Sequence, residues 1–139
     1  AVCKQGPPLP MSTTLKNVLV LGDSVSIGYT PFVNKALSDI ALVQHSPWGG
    51  DGGAEETQYG WRCLDYLLRQ PDGTPAQVDA LYWNFGLHNT GSGTLPGQAG
   101  PVAEYAPYLR KIERDGDAKA PVETRVAYVE KYLADTPQN

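Results

Sequence analysis

Three groups of residues in this chain could together carry out acyl transfer. They are Ser24, the glycine-dense segment 49–53, and His88 with Asn89, and each group follows one of three predicted strands. Because parallel topology brings the carboxyl ends of strands to one edge of a sheet, we expect the three groups to meet there. A serine hydroxyl supplies an attacking oxygen, while backbone N–H groups and polar side chains can donate to the oxyanion of a tetrahedral intermediate. The combination predicts nucleophilic chemistry at that edge.

Ser24 ends the sequence Gly22-Asp23-Ser24, which follows the apolar run 18–21. The run is short and rich in β-branched residues, as is typical of a strand buried on both faces. Gly, Asp and Ser are also ordinary turn residues, so this segment alone fits a simple strand-ending turn equally well. We expect Asp23 to brace the turn rather than to act as a base.

The hydrophobic periodicity predicts strands that alternate with helices. The strands are predicted over 18–21, 41–45 and 78–85, and the helices from Thr30, over 57–70, from near Pro107 and from Pro121. This order indicates an α/β fold with a parallel sheet, a flavodoxin-like three-layer α/β/α sandwich. With three strands the sheet is small and its third strand is expected to need a cover, so we interpret residues 17–139 as the amino-terminal part of one domain. Residues 1–16 are expected to form an extended arm.

The composition excludes several classes of function. The net charge is -4 with no basic cluster, which argues against nucleic acid or an anionic membrane as a partner. No apolar run approaches the roughly 20 residues of a transmembrane helix. Metal-ligand spacings such as C-x-x-C are lacking, so neither a metal nor another cofactor is predicted. Cys3 and Cys63 could pair or remain separate; a disulfide would favour an oxidising compartment.

At this point the chain resembles the SGNH, or GDSL-type, ester hydrolases. Gly22-Asp23-Ser24 after a first strand resembles the first block of that family, and the glycine-rich segment after the second strand resembles its second block. Gly86-Leu87-His88-Asn89 takes the position of the third block, usually Gly-x-Asn-Asp. The resemblance spans about residues 17–89. His88 therefore stands where Asn normally donates, and Asn89, which we expect to be structural, stands where Asp is usual.

The resemblance implies roles for individual residues. Ser24 would be the nucleophile. Its own N–H, the N–H of Gly53 and the side chain of His88 would form the oxyanion hole. Gly52 is the alternative glycine, and Asn84 is an alternative side-chain donor. The implied activity is hydrolysis of a carboxylic ester, with carbohydrate O-acetyl groups and lipid or other small esters as candidate substrates, and with a secreted or extracellular location.

The last block of the family, Asp-x-x-His, has no counterpart after Asn89. Because the chain contains only His45 and His88, the general base that activates a serine lacks a candidate at the usual place. A second polypeptide or a separate carboxyl-terminal segment could supply the Asp/His pair together with the remaining strands. His88 or His45 could act as a substitute base. Alternatively, the domain is an inert module that binds a glycan or another ligand.

Overall fold

The computed structural model describes residue 3 and residues 6–46, 56–89 and 102–119. Its strands are β1 (Lys16–Gly22), β2 (Ala41–His45) and β3 (Ala80–Asn84). Its helices are α1 (Ser24–Ala36), α2 (Thr57–Arg62), α3 (Leu64–Leu67) and α4 (Val102–Lys119), and a short 3₁₀ helix covers Leu87–Asn89.

The three strands form a parallel sheet in the order β2-β1-β3. The predicted α/β class is therefore confirmed, and the apolar run lies in the central strand. In the register, Val20 lies beside His45 and Gly22 lies beside Asn84. Each strand consequently ends at the same edge of the sheet, which is where the polar residues of the sequence were expected to meet.

Alternation along β1 divides the core between the two faces of the sheet. Leu19 and Leu21 point into the larger cluster, which contains residues of α2, α3 and α4, while Val20 belongs to a smaller cluster beneath α1. A strand whose side chains are buried on both sides reads as a continuous apolar run, and this explains the composition of β1. Helices therefore cover both faces of the sheet.

The amino-terminal arm packs on the larger cluster. Leu9 and Met11 contact it, and the backbone N–H and carbonyl of Leu9 both bond the side-chain amide of Gln70 at 2.9 Å. A disulfide joins Cys3 to the buried Cys63. The two cysteines are therefore paired, a point that the sequence left open. The bond spans 60 residues, and closing a loop of that size stabilises a fold by about 4 kcal/mol.

Two helices begin earlier than predicted. Helix α1 begins at Ser24 rather than at Thr30, because Asp23 caps its first turn, and Pro31 lies inside it. Helix α4 begins at Val102 and likewise contains Pro107. Packing against the sheet and the neighbouring helices offsets the single hydrogen bond that each proline removes.

The predicted helix over 57–70 is divided at Cys63. This residue ends α2 and precedes α3 with φ -94° and ψ 4°, outside the values of a regular helix. Its sulfur is bonded to the arm, so the break lies where the chain is tied to a distant segment. The helix predicted from Pro121 and the glycine-rich segment 49–53 lie outside the described residues.

Candidate active site

The turn that carries Ser24 depends on a glycine. A Cβ placed on Gly22 would lie 2.3 Å from the carbonyl oxygen of Asn84 and 2.6 Å from Ser26 Oγ. Both distances are far below van der Waals contact, and the φ of 156° is one that other residues rarely adopt. Only glycine therefore lets β1 end this close to β3.

Asp23 braces the turn as the N-cap of α1. Its Oδ1 accepts a hydrogen bond of 2.9 Å from the N–H of Val25, and its carbonyl accepts from the N–H of Ile27 at 3.1 Å. The side chain is buried, with 2% exposure. The same residue thus satisfies an orphan N–H at the start of the helix and fixes the direction of the chain after β1.

Ser24 is the first residue of α1 and is exposed. Among the described residues, its hydroxyl has no hydrogen-bond partner. The N-terminus of a 13-residue helix favours negative charge, so an oxygen here can carry developing charge more easily than one elsewhere on the surface. Ser24 therefore has the access that a nucleophile needs, and neither histidine of the sequence is hydrogen-bonded to it.

His88 lies on the 3₁₀ turn after β3, beside the turn after β1. Its Nε2 is 4.0 Å from Asp23 Oδ2, and the imidazole is three-quarters buried. The separation is longer than a hydrogen bond. The turns after β1 and β3 are nevertheless neighbours in space, as parallel topology predicts.

The two asparagines of the third strand and its turn are engaged in other contacts. The Asn84 amide donates to the hydroxyl of Tyr29 at 3.2 Å, so one of its two N–H groups is already used. Asn89 is buried; its Oδ1 accepts from the N–H of Thr57 and its Nδ2 donates to Thr57 Oγ1, both at 3.2 Å. Asn89 thereby fastens the 3₁₀ turn to the start of α2.

His45, at the end of β2, contacts a serine other than Ser24. Its Nε2 lies 2.8 Å from Ser26 Oγ, and its Nδ1 lies 3.2 Å from the carbonyl oxygen of Ser46. Burial lowers the pKa of His45. Ser26 is fully buried and donates to the Asp23 carbonyl at 2.7 Å, so this serine–histidine pair is closed to a substrate.

Sequence reasoning missed Ser26 and Tyr29. Ser26 follows the cap residue by three positions, which is the spacing for a hydroxyl that bonds back to the backbone, but its contact with β2 has no sequence signature. Tyr29 lies against the end of β3, and burial raises its pKa to about 12, so it is a neutral hydrogen-bond donor and acceptor at physiological pH.

A metal site and a membrane-spanning helix each require features that the described residues lack. The described part of the chain contains no cluster of His, Cys, Asp and Glu that could hold a metal ion. Within that same part, no helix is long and apolar enough to cross a membrane. Gly52 and Gly53 fall in the gap between residues 46 and 56, outside the description of the site. No family model matches the chain, and no curated protein matches it either.

Proposed function

We propose that this chain carries the nucleophile of an SGNH-type ester hydrolase, with Ser24 as the attacking residue. The observation that supports the proposal is the exposed Ser24 at the first residue of α1, with His88 4.0 Å from its neighbour Asp23. A hydroxyl at this edge of a parallel sheet is accessible to substrate from outside the fold.

The proposed reaction proceeds in two steps. Ser24 Oγ bonds to the carbonyl carbon, its proton passes to a general base, and the ester C–O bond breaks as that proton is delivered to the leaving alcohol. Water then hydrolyses the acyl-enzyme and restores the hydroxyl. The N–H groups of Ser24 and Gly53, with the side chain of His88, would stabilise the oxyanion of each tetrahedral intermediate.

We propose that the general base comes from outside these 139 residues. The sequence contains two histidines, and His45 is engaged with the buried Ser26 rather than with Ser24. A second polypeptide or a further segment would bring the Asp/His pair and strands that complete the sheet beside β3. The arrangement would then be the flavodoxin-like sandwich of the family.

The proposed substrate is a carboxylic ester, with a carbohydrate O-acetyl group as one candidate and a lipid or other small ester as another. We further propose a secreted or extracellular location. The Cys3–Cys63 disulfide supports it, because such bonds persist in oxidising compartments.

The test compares turnover of p-nitrophenyl acetate by the native material before and after Ser24→Ala. Ser38→Ala, a change at an exposed serine in the turn after α1, is the matched control. We expect Ser24→Ala to abolish turnover and Ser38→Ala to leave it unchanged. The intact mass of the native material, with and without reductant, shows whether a second polypeptide accompanies the chain.

Two other outcomes would contradict parts of the proposal. Turnover that depends on Ser24 in the 139-residue chain alone would refute the external base. No turnover by the complete native material would refute the hydrolase and favour the inert module, which retains a ligand pocket without the chemistry.

A further inference from the structure

A chain of two short hydrogen bonds connects β2 to the turn that carries Ser24. His45 Nε2 lies 2.8 Å from Ser26 Oγ, and Ser26 Oγ lies 2.7 Å from the carbonyl oxygen of Asp23. Ser26 is fully buried, so no solvent competes for its single hydroxyl hydrogen. The Asp23 carbonyl immediately precedes the N–H of Ser24.

Two carbonyl oxygens here need a donor, that of Asp23 and that of Ser46, and the lengths of the contacts favour one assignment of the protons when His45 is neutral. A carbonyl oxygen can only accept, so Ser26 must donate its one hydrogen to Asp23. The Ser26 oxygen is then an acceptor toward His45, and His45 must present an Nε2–H. The contact of Nδ1 with the Ser46 carbonyl is longer, at 3.2 Å, than the 2.8 Å between Nε2 and Ser26 Oγ, so we assign the single proton of the neutral imidazole to Nε2.

We propose that His45 and Ser26 are positioning residues that hold the Ser24 turn, with the proton of His45 fixed on Nε2. The functional part of this inference rests on the proposed role of Ser24. In this arrangement the imidazole donates to Ser26, and Ser26 donates to the Asp23 carbonyl. That carbonyl and the Ser24 N–H belong to the same peptide group, so the bond fixes the direction in which the N–H can donate to an oxyanion.

The same geometry argues against His45 as a general base. A base must accept a proton at the nitrogen that faces the nucleophile, but Nε2 already carries one and faces Ser26. Protonation on Nδ1 adds a donor toward the Ser46 carbonyl and leaves the Nε2–H bond intact. Asp23 is the charged group that acts on His45 from α1, and burial opposes its attraction for the added proton.

The direct experiment is ¹⁵N–¹H NMR of the imidazole nitrogens in the unmodified full chain at neutral pH. We expect His45 to be the Nε2–H tautomer and its charged form to appear only below the ordinary pKa of 6.5. An Nδ1–H tautomer would overturn the inference. This measurement needs no variant and no activity.

A second experiment asks whether the bonds position the turn. His45→Gln keeps an amide donor for Ser26, whereas His45→Leu keeps a similar bulk without a donor. We expect the Ser24 backbone amide signal to shift in His45→Leu and in Ser26→Ala and to stay near its original place in His45→Gln. Equal shifts in His45→Gln and His45→Leu would contradict a role for the donor.

Labelling of Ser24 by a small fluorophosphonate, in the complete native material with any polypeptide that accompanies the chain, supplies the functional readout. Loss of one hydrogen bond is worth about 1 kcal/mol, so we expect labelling to slow about fivefold in His45→Leu and in Ser26→Ala. The double variant should be no slower than either single one. Parallel pH profiles for the native chain and His45→Gln would support positioning, while a collapse of labelling in His45→Gln would identify a base. Absence of labelling in every form would refute the proposed function of Ser24 and leave the NMR results to decide this inference.

Discussion

The turn formed by residues 22–24 has a histidine on each side: His45 at the end of β2 and His88 after β3. The two imidazoles differ in how closely they contact the turn. On the β2 side, His45 Nε2 is 2.8 Å from a buried hydroxyl that is itself bonded to the backbone of the turn. On the β3 side, His88 Nε2 is 4.0 Å from the Asp23 carboxylate, beyond hydrogen-bond distance.

The shorter contact of His45 supports the turn, whereas the longer separation at His88 does not. The hydrogen bond between His45 and Ser26 is short, and the Ser26 hydroxyl is buried. Moving His45 away would leave that hydroxyl oxygen buried without this partner, which costs free energy. The His88 Nε2 atom is buried beside Asp23 at a distance longer than a hydrogen bond, so the imidazole must move before this nitrogen can donate to a ligand. The β2 side is therefore the more closely bonded support of the turn. In the proposed hydrolase, His88 on the β3 side is the side chain that would donate to the oxyanion.

The largest expected effect is at Gly22, on which both sides depend. Gly22→Ala places a methyl group against the Asn84 carbonyl, so β1 and β3 must separate. Combined backbone strain and overpacking should destabilise the fold by about 3 kcal/mol or more. Chemical denaturation measures the change.

Gly28→Ala is the matched control for that variant. Gly28 lies in α1, six residues after Gly22, and a Cβ there would meet no atom within 4 Å. The higher helix propensity of alanine should stabilise the protein by about 0.5–1 kcal/mol. Similar destabilisation by both changes would contradict the argument from close approach.

The next largest effect tests whether His88 donates to an oxyanion. His88→Ala should reduce ester turnover by about 10²–10³-fold, the loss typical of one donor in an oxyanion hole. His88→Asn restores the side chain that the SGNH family usually has and should recover most of the turnover. Equal losses in the two variants, measured as kcat/KM on p-nitrophenyl acetate, would instead indicate that His88 is the base.

The β3 side should also depend on the buried bonds of Asn89. Asn89→Ala removes both of its bonds to Thr57 and leaves the N–H at the start of α2 unsatisfied. We expect a loss of about 1–3 kcal/mol in the free energy of unfolding. Asn89→Asp retains an acceptor for that N–H and should be less harmful; urea denaturation of the two variants gives the comparison.

The smallest effect concerns the pH dependence of the β2 side. Because burial lowers the pKa of His45 in the folded state, the unfolded chain binds the proton first as the pH falls below 6.5. Stability should be complete above 6.5 and should decline from there down to the folded pKa, by at most about 1.4 kcal/mol per pH unit.

His45→Gln should remove that part of the slope, which denaturation midpoints between about pH 7.5 and 4.5 would show. The carboxylate of Asp79 acts in a separate range. The N–H of Asn17 and the ammonium of Lys16 lower its pKa below 3.8, so its contribution is lost only in stronger acid. An unchanged slope in His45→Gln would mean that His45 titrates alike in both states.

Much of the framework could be predicted from local sequence. The apolar run of β1, the turn residues after it and the alternation of strands with helices all depend on neighbouring residues, because periodicity and turn chemistry act over a few positions. Asp23 as a brace belongs to the same group, since a carboxylate before a helix caps it wherever the helix packs. The meeting of Asp23 with His88 followed once parallel pairing was assumed.

Tertiary structure alone decided the remaining features. Helix α1 could continue through Pro31 because packing against the sheet outweighs local preference. The break at Cys63 coincides with a bond to a residue 60 positions away. The Ser26–His45 pair depends on the register of β1 with β2. Such contacts depend on how separate segments dock, and a linear sequence carries no local signal for docking.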